Sequence, residues 1–284
     1  MQTRAGVVVV AAWAALAAAC ATVPVRVPQG GSSPLAASDA APIVAQAVST
    51  CRGVRTLTAE VGVSGRVGSR TLRGRVLAGI ERPGAIRLEA PAPFGAPVFI
   101  LVARGSQSVL WFPRDKRVLR DAAVADVIEA LTGMHRGADD LLALLSGCLV
   151  DGGSDESLEA RRFESGWIVA PLTGGAEAFI RQQQQRWRIV GGRAGGVGLG
   201  TSGETPWRVG YEEFAAGFPA RVRVDQPPDL DVTFRVSQLE ANVAIDPAAF
   251  DLRVPAGAVP LSLDQLRQMG PLADRAPGTG AGSR

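Results

Sequence analysis

Apolar and polar residues alternate along three early stretches of the chain, 57–63, 72–80 and 86–90. A period of two places every second side chain on the same face, which is typical of a strand with one buried and one solvated face. Residues 98–103 are apolar at every position and predict a strand covered on both faces. Turn residues at 82–84 separate two of these stretches, so the pattern predicts neighbouring antiparallel strands.

The pattern becomes helical in the middle of the chain. Residues 122–131 carry one apolar stripe, and Gly133 follows as a stop. A second short helix over 141–145 is apolar almost all round and ends at Gly147. Neither helix is long enough to be stable alone in water, so both are expected to dock on the sheet.

Alternating stretches flank and follow these helices. Strands are predicted over 108–112, 117–120, 158–163, 167–171, 176–182, 185–190, 207–214, 220–225 and 231–243. Strands, two helices and then more strands predict an α+β fold, in which one curved sheet closes over the helices. We expect a single domain over 42–272 and a disordered tail over 273–284.

The N-terminus has the anatomy of a cleavable secretory signal. An arginine precedes the apolar run 5–18, and small residues then lead into Cys20. The run is too short to be a stable spanning helix. We expect a signal peptide over 1–19 and acyl chains on Cys20, the first residue of a mature lipoprotein. The alternative is an ordinary secretory peptide with Cys20 incidental, and Ala17 stands where lipoprotein signals usually have leucine.

The segment after Cys20 differs in composition from the predicted domain. Residues 20–41 are rich in proline, glycine, serine and alanine, which predicts a flexible tether between the lipid anchor and the domain. A short helix is predicted over 42–51, where Pro42 has a permitted first-turn position and Gly53 follows the end.

Three cysteines fit an export pathway. If Cys20 carries lipid, Cys51 and Cys148 remain as an even pair in an oxidising compartment. They could form a disulfide that closes a loop of about a hundred residues and contributes at most about 4–5 kcal/mol in the chain-entropy model. The alternative is two buried free thiols that act as small hydrophobes.

Charge and chemistry exclude two classes of function. The formal net charge is only +3, and the arginines mostly alternate with apolar residues, so nucleic-acid binding is not expected. His135 is the only histidine, no Cys/His cluster has zinc spacing, and no serine stands in a nucleophile elbow. The glycine-rich 196–203 precedes a predicted strand, not the helix that a phosphate-binding loop needs. We therefore expect no catalysis, cofactor or metal.

Three segments resemble the LolB family of outer-membrane lipoproteins, which receive other lipoproteins from the periplasmic carrier LolA. They are 87–97 (RLEAPAPFGAP), 126–134 (DVIEALTGM) and 140–147 (DLLALLSG), in the family's order. The resemblance is best over 57–147. A later element, 247–255 (PAAFDLRVP), is similar to related LolA/LolB-like domains.

The resemblance implies an incomplete, strongly curved antiparallel β-barrel, with helices packed as a lid over an apolar interior. In the family that interior takes the acyl chains of a cargo lipoprotein. Phe94 matches the apolar tip of a protruding loop that is implicated in inserting cargo into the membrane. An aromatic residue between Pro93 and Gly95 is also unusual for a turn. The alternative is a phenylalanine folded back on the sheet.

Ten apolar residues are candidates for lining a cavity. They are Val61, Val76, Leu88, Ile100, Leu110, Val127, Leu131, Leu141, Leu144 and Trp167. The same residues would equally serve a closed core.

We expect a monomer that is lipid-anchored through Cys20 and faces the periplasm. The resemblance implies that the membrane is the outer one and that lipoprotein acyl chains and a LolA-like carrier are the partners. Two alternatives are a structural or assembly lipoprotein with a filled core and a carrier of another lipid or glycolipid.

Overall fold

The computed structural model describes residues 26–105, 107–149, 159–172, 176–194 and 207–270. The expected signal peptide, Cys20 and the tail over 273–284 lie outside the described residues.

Strands β1–β8 span Ser32–Pro34, Thr56–Val67, Arg70–Glu81, Ala85–Ala90, Phe99–Arg104, Gln107–Phe112, Arg117–Ala122 and Arg161–Phe163. Strands β9–β15 span Trp167–Pro171, Ala176–Gln183, Arg186–Ala194, Trp207–Ala215, Phe218–Gln226, Leu230–Ala241 and Val259–Pro260. Helices α1–α4 span Ala37–Val48, Val124–Thr132, Ala138–Ser146 and Leu263–Met269, and a 3-10 helix spans Pro247–Phe250.

In the described ranges the strands form one sheet, in the order β1-β8-β9-β10-β11-β12-β13-β14-β2-β3-β4-β5-β6-β7-β15. All pairs are antiparallel except the short β15–β7 pair at one edge. The ends of the order, β1 and β15, do not pair with each other, so the sheet curves without closing. The protein is an incomplete, strongly curved antiparallel barrel with helices as a lid, as the sequence predicts.

The two halves of the chain meet where β14 pairs with β2. The ladder runs from Leu230 opposite Val67 to Ala241 opposite Leu57. Beyond its end the Thr56 hydroxyl donates to the carbonyl oxygen of Val243 at 2.6 Å. This pairing places the early and late strands in one continuous sheet.

The helices cover the apolar face of the sheet. Helix α1 lies against β11, α3 against β3, β4 and β13, and α2 against β6 and α4. Their buried residues belong to the same core cluster as the inward side chains of the strands. Full burial of one such side chain contributes about 1.5–3 kcal/mol to stability. The sum of these contributions holds helices that are too short to be stable alone against the sheet.

The opposite face of β4 and β5 is covered by the 3-10 helix. Arg104 donates to the carbonyl oxygen of Pro247 at 3.0 Å, and Arg87 donates to that of Ala249 at 3.2 Å. Phe99 and Val102, on opposite faces of β5, are both buried. The prediction that residues 98–103 are covered on both faces is confirmed.

The segment expected to be a tether over 20–41 is partly structured. Ser32–Pro34 pairs with β8, and α1 begins at Ala37, five residues before the start predicted for it. Burial explains the difference, because Ala40, Ile43 and Val44 of α1 pack into the core. In the described ranges, no helix is both long and apolar enough to cross a membrane.

Candidate functional site

The interior of the curved sheet is lined by eight of the ten candidate cavity residues. They are Val61, Val76, Leu88, Leu110, Val127, Leu131, Leu141 and Leu144. The register explains why the strand residues share a face, because Val61 lies opposite Val76 and Leu101 lies opposite both Leu88 and Leu110. Sheet and lid therefore enclose an apolar interior that is mostly aliphatic, with the aromatic residues Phe99, Phe112, Tyr211 and Phe234 also in its core.

The other two candidate cavity residues, Ile100 and Trp167, do not face this interior. Ile100 lies opposite Trp111 on the outer face of the sheet, since its neighbours Phe99 and Leu101 point inward. Trp167 packs in a separate outer cluster with Val169 and Phe179. Its ring meets that of Phe179 edge-on, with centroids 6.2 Å apart. For these two residues the sequence prediction is wrong.

Helix α3 is held at both ends. At its start the Gly84 amide donates to the Asp139 carboxylate at 3.0 Å, and the Gly137 amide donates to Asp140 at 2.9 Å. Just after its end, Cys148 is joined to Cys51 by a disulfide, with Cα atoms 5.3 Å apart. This part of the lid is therefore fixed to the β3–β4 turn and to the end of α1.

Helix α2 ends beside the last residue of β2 and the first residue of β14. Gly133 caps it in a left-handed conformation, φ 79°, and donates its amide to the carbonyl oxygen of Glu129. A β-carbon at Gly133 would lie 2.6 Å from Val67 Cγ1 and 3.2 Å from Leu230 Cδ1. Only glycine satisfies both the backbone angle and this close approach. The predicted stops at Gly133 and Gly147 are confirmed.

The turn between β4 and β5 presents Phe94 to solvent. Its side chain is 88% exposed, so it does not fold back on the sheet. Arg114, in the turn between β6 and β7, donates to the carbonyl oxygens of Phe94 at 2.8 Å and Ala96 at 3.2 Å. These bonds hold the backbone of the turn while the ring projects. Sequence reasoning missed Arg114, because only the fold brings the two turns together.

Tyr211 places a phenol inside the apolar interior. It lies on β12 opposite Val222, is 2% exposed, and belongs to the core cluster. No group in the described ranges forms a hydrogen bond with its hydroxyl. Burial raises the pKa of Tyr211 above its ordinary value, because the charged phenolate would lose its hydration.

A polar cavity of about 700 Å³ lies on the outer face of β10–β14. Arg181, Arg221, Arg223 and Arg235 line it, together with Glu212. Arg223 forms two hydrogen bonds to Asp231, at 2.8 and 3.1 Å, and Arg221 approaches Glu212 to 3.4 Å. The charges of this outer face are largely paired, which is typical of a solvated sheet surface.

His135 has two partners that sequence reasoning missed. Its Nδ1 lies 3.2 Å from a carboxylate oxygen of Glu129 and 3.6 Å from one of Asp126, both on α2. The spacing Asp-x2-Glu-x5-His is not a familiar ligand motif. The cluster forms because Gly133 turns the chain back along the exposed side of α2.

No family model matches the chain, and no curated protein matches it in sequence. Solved structures with a similar backbone fold include a LolA superfamily protein from Nitrosomonas europaea. Its TM-score is 0.45 and its sequence identity 10%, over 74% of this chain and 96% of that one. A putative outer membrane lipoprotein-sorting protein domain from Vibrio parahaemolyticus has TM-score 0.45 and 8% identity, over 76% and 97% of the two chains. A DUF1329 family protein from Desulfovibrio piger has TM-score 0.42 and 12% identity, over 74% and 96%. Structural similarity at this level supports no inference about the ligand or the role of this chain.

Proposed function

We propose that this protein is a lipid-anchored, lipid-binding protein of the cell envelope, which accepts lipoprotein acyl chains in its interior and inserts them into the outer membrane. It acts by binding and not by catalysis. A LolA-like carrier delivers its cargo, and Cys20 carries its own anchor. The resemblance of 87–97, 126–134 and 140–147 to LolB supports this assignment.

The observation that carries the proposal is an apolar concave face covered by short helices, with an exposed phenylalanine at one turn. Moving an acyl chain through water needs a water-excluding surface, worth about 25 cal/mol per Å² of chain covered. The apolar interior provides such a surface, and α2, a short helix docked by burial, can be displaced. Phe94, 88% exposed on a turn held by Arg114, provides an apolar contact for the membrane.

A second candidate is a structural or assembly lipoprotein of the same fold with a filled interior. The fully buried side chains of the interior favour it, since Leu57, Leu101, Leu110 and Leu142 are each 0% exposed. Mass spectrometry of lipids extracted from the purified protein separates the two candidates. A carrier yields acylated cargo or free lipid in stoichiometric amounts beyond the anchor, whereas a filled core yields the anchor alone.

The role of Phe94 is tested by Phe94→Glu in an assay of lipoprotein transfer into vesicles. Because burial of a phenyl ring is worth about 1.5–3 kcal/mol, we expect insertion to fall about tenfold or more while the protein stays folded. Leu77→Glu is the matched control, since Leu77 is an exposed apolar residue on strand β3. Undiminished insertion by the Phe94 variant would show that the turn does not deliver cargo.

A further inference from the structure

The cluster formed by Asp126, Glu129 and His135 has the composition of a metal site. Each residue offers one ligand atom, and the three atoms lie within 4.8 Å of one another. Imidazole nitrogen with carboxylate oxygen is a donor set that divalent first-row transition metals accept, zinc among them. The two carboxylates come from one turn of α2, and the imidazole comes from the loop that joins α2 to α3.

Two of the three distances within the cluster match coordination. A tetrahedral ion bound at about 2.1 Å separates any two of its ligand atoms by about 3.4 Å. Nδ1 of His135 lies 3.2 Å from the oxygen of Glu129 and 3.6 Å from that of Asp126. The two carboxylate oxygens lie within 4.8 Å of each other. All three side chains are one-third to one-half exposed, so the carboxylates are free to rotate toward a shared ion.

The charges of the cluster also call for a cation. A neutral imidazole carries at most one hydrogen on Nδ1, so that nitrogen can donate to one carboxylate and not to both. No arginine or lysine of the described ranges pairs with Asp126 or Glu129. A divalent ion placed between the two carboxylates and Nδ1 would accept an electron pair from each of the three atoms.

We propose that Asp126, Glu129 and His135 bind one divalent transition-metal ion on the outer side of the lid, and that the preferred ion is Zn²⁺. The fourth coordination position faces solvent and takes water. Bound metal fastens the loop 133–137 to the exposed side of α2, and so stabilises the part of the lid between the two helices. This proposal does not rest on the proposed lipid binding.

The test is a calorimetric titration of the purified mature protein with Zn²⁺. We expect one ion per chain, and at least tenfold weaker binding in His135→Gln and in Glu129→Gln, because loss of one ligand from three removes much of the affinity. Asp264→Asn is the matched control, since Asp264 is an 84% exposed carboxylate on α4 and should leave binding unchanged. As His135 is the only histidine, an imidazole resonance that shifts with Zn²⁺ belongs to it.

Three outcomes would overturn the site. The first is absence of saturable Zn²⁺ binding. The second is equal affinity of the wild type and His135→Gln for Zn²⁺, and the third is equal affinity of the wild type for Mg²⁺ and Zn²⁺. The last would indicate loose attraction of cations by the carboxylates alone. Melting curves of the metal-free variants should coincide with that of the wild type, which shows that weaker binding does not reflect unfolding.

Discussion

Tyr211 illustrates at the scale of one residue how a strand position imposes a chemical state. The side chain of Tyr211, on β12 opposite Val222, points into the apolar interior. In the described ranges, no group there forms a hydrogen bond with its hydroxyl. Leaving a buried hydroxyl without a partner costs about 1–3 kcal/mol. The proposed carrier function gives this hydroxyl a candidate partner, the polar end of a bound lipid.

Stability should fall at high pH because of Tyr211. Burial raises the pKa of Tyr211, so its contribution is complete below the unfolded pKa of about 10 and is lost as pH rises above it. Relative to Tyr211→Phe, we expect the free energy of unfolding of the wild type to fall by about 1.4 kcal/mol per pH unit in that range.

The pH effect can be read directly, because Tyr211 is the only tyrosine of the chain. Tyrosinate absorbance should appear only as the protein unfolds, and denaturant titrations of the two proteins should diverge only above about pH 10. Tyrosinate formed at its ordinary pH in the native protein would contradict the burial of this ring.

Two residues mark the limit of prediction from pattern. Ile100 lies in a run that is apolar at every position, and Trp167 begins a strand with buried residues on both faces, so periodicity cannot assign either of them a face. The face was decided by pairing with the neighbouring strand. By contrast, Val61 and Leu88 lie in alternating stretches, and their inward orientation could be predicted.

Among the elements, the lid is joined to the barrel by contacts far apart in sequence. The Cys51–Cys148 disulfide connects the end of α1 to the end of α3, across a separation of 97 residues. Both sulfurs are buried beside the core. The link restricts the unfolded chain, and it also limits how far the end of α3 can leave the sheet.

Cys51→Ser should lower the free energy of unfolding by up to about 4–5 kcal/mol, the loop-closure value for a link of this length. Urea unfolding measures the change. The Cys51→Ser/Cys148→Ser double variant should lose no more free energy of unfolding than the single variant. Wild type treated with a thiol reductant should unfold at the same urea concentration as the two variants. A wild type that is insensitive to reductant would instead favour two free thiols.

At the scale of the whole molecule, the sheet curves around an apolar interior but leaves its edges, β1 and β15, unpaired with each other. An unclosed barrel can widen by moving its lid, whereas a closed one would have to break a ladder of hydrogen bonds. This architecture suits an interior that exchanges its contents with a membrane, and the proposed function depends on that exchange.

If the interior holds lipid, removal of the lipid should lower the melting temperature. A ligand present at about a hundred times its dissociation constant stabilises a folded protein by about 2.7 kcal/mol, or roughly 5–10 °C for a domain of this size. Calorimetry before and after detergent extraction measures the shift, and a diacylated lipopeptide should restore it. An unchanged melting temperature would favour the filled-core candidate.

The sequence by itself determined strands β2 to β14, the ends of the lid helices and most of the inward side chains. These features depend on local properties: the period of two, the left-handed conformation of Gly133 and Gly147, and the apolar stripe of α2. The resemblance to LolB, best over 57–147, added the curved barrel and the tip at Phe94.

Only the tertiary structure decided which residues meet across the fold. It pairs β14 with β2, turns Ile100 and Trp167 outward, and brings Arg114 to the backbone of Phe94. It also packs the chain from Ser32 onward onto the barrel. Such contacts follow from register and long-range packing, which no local pattern of residues encodes.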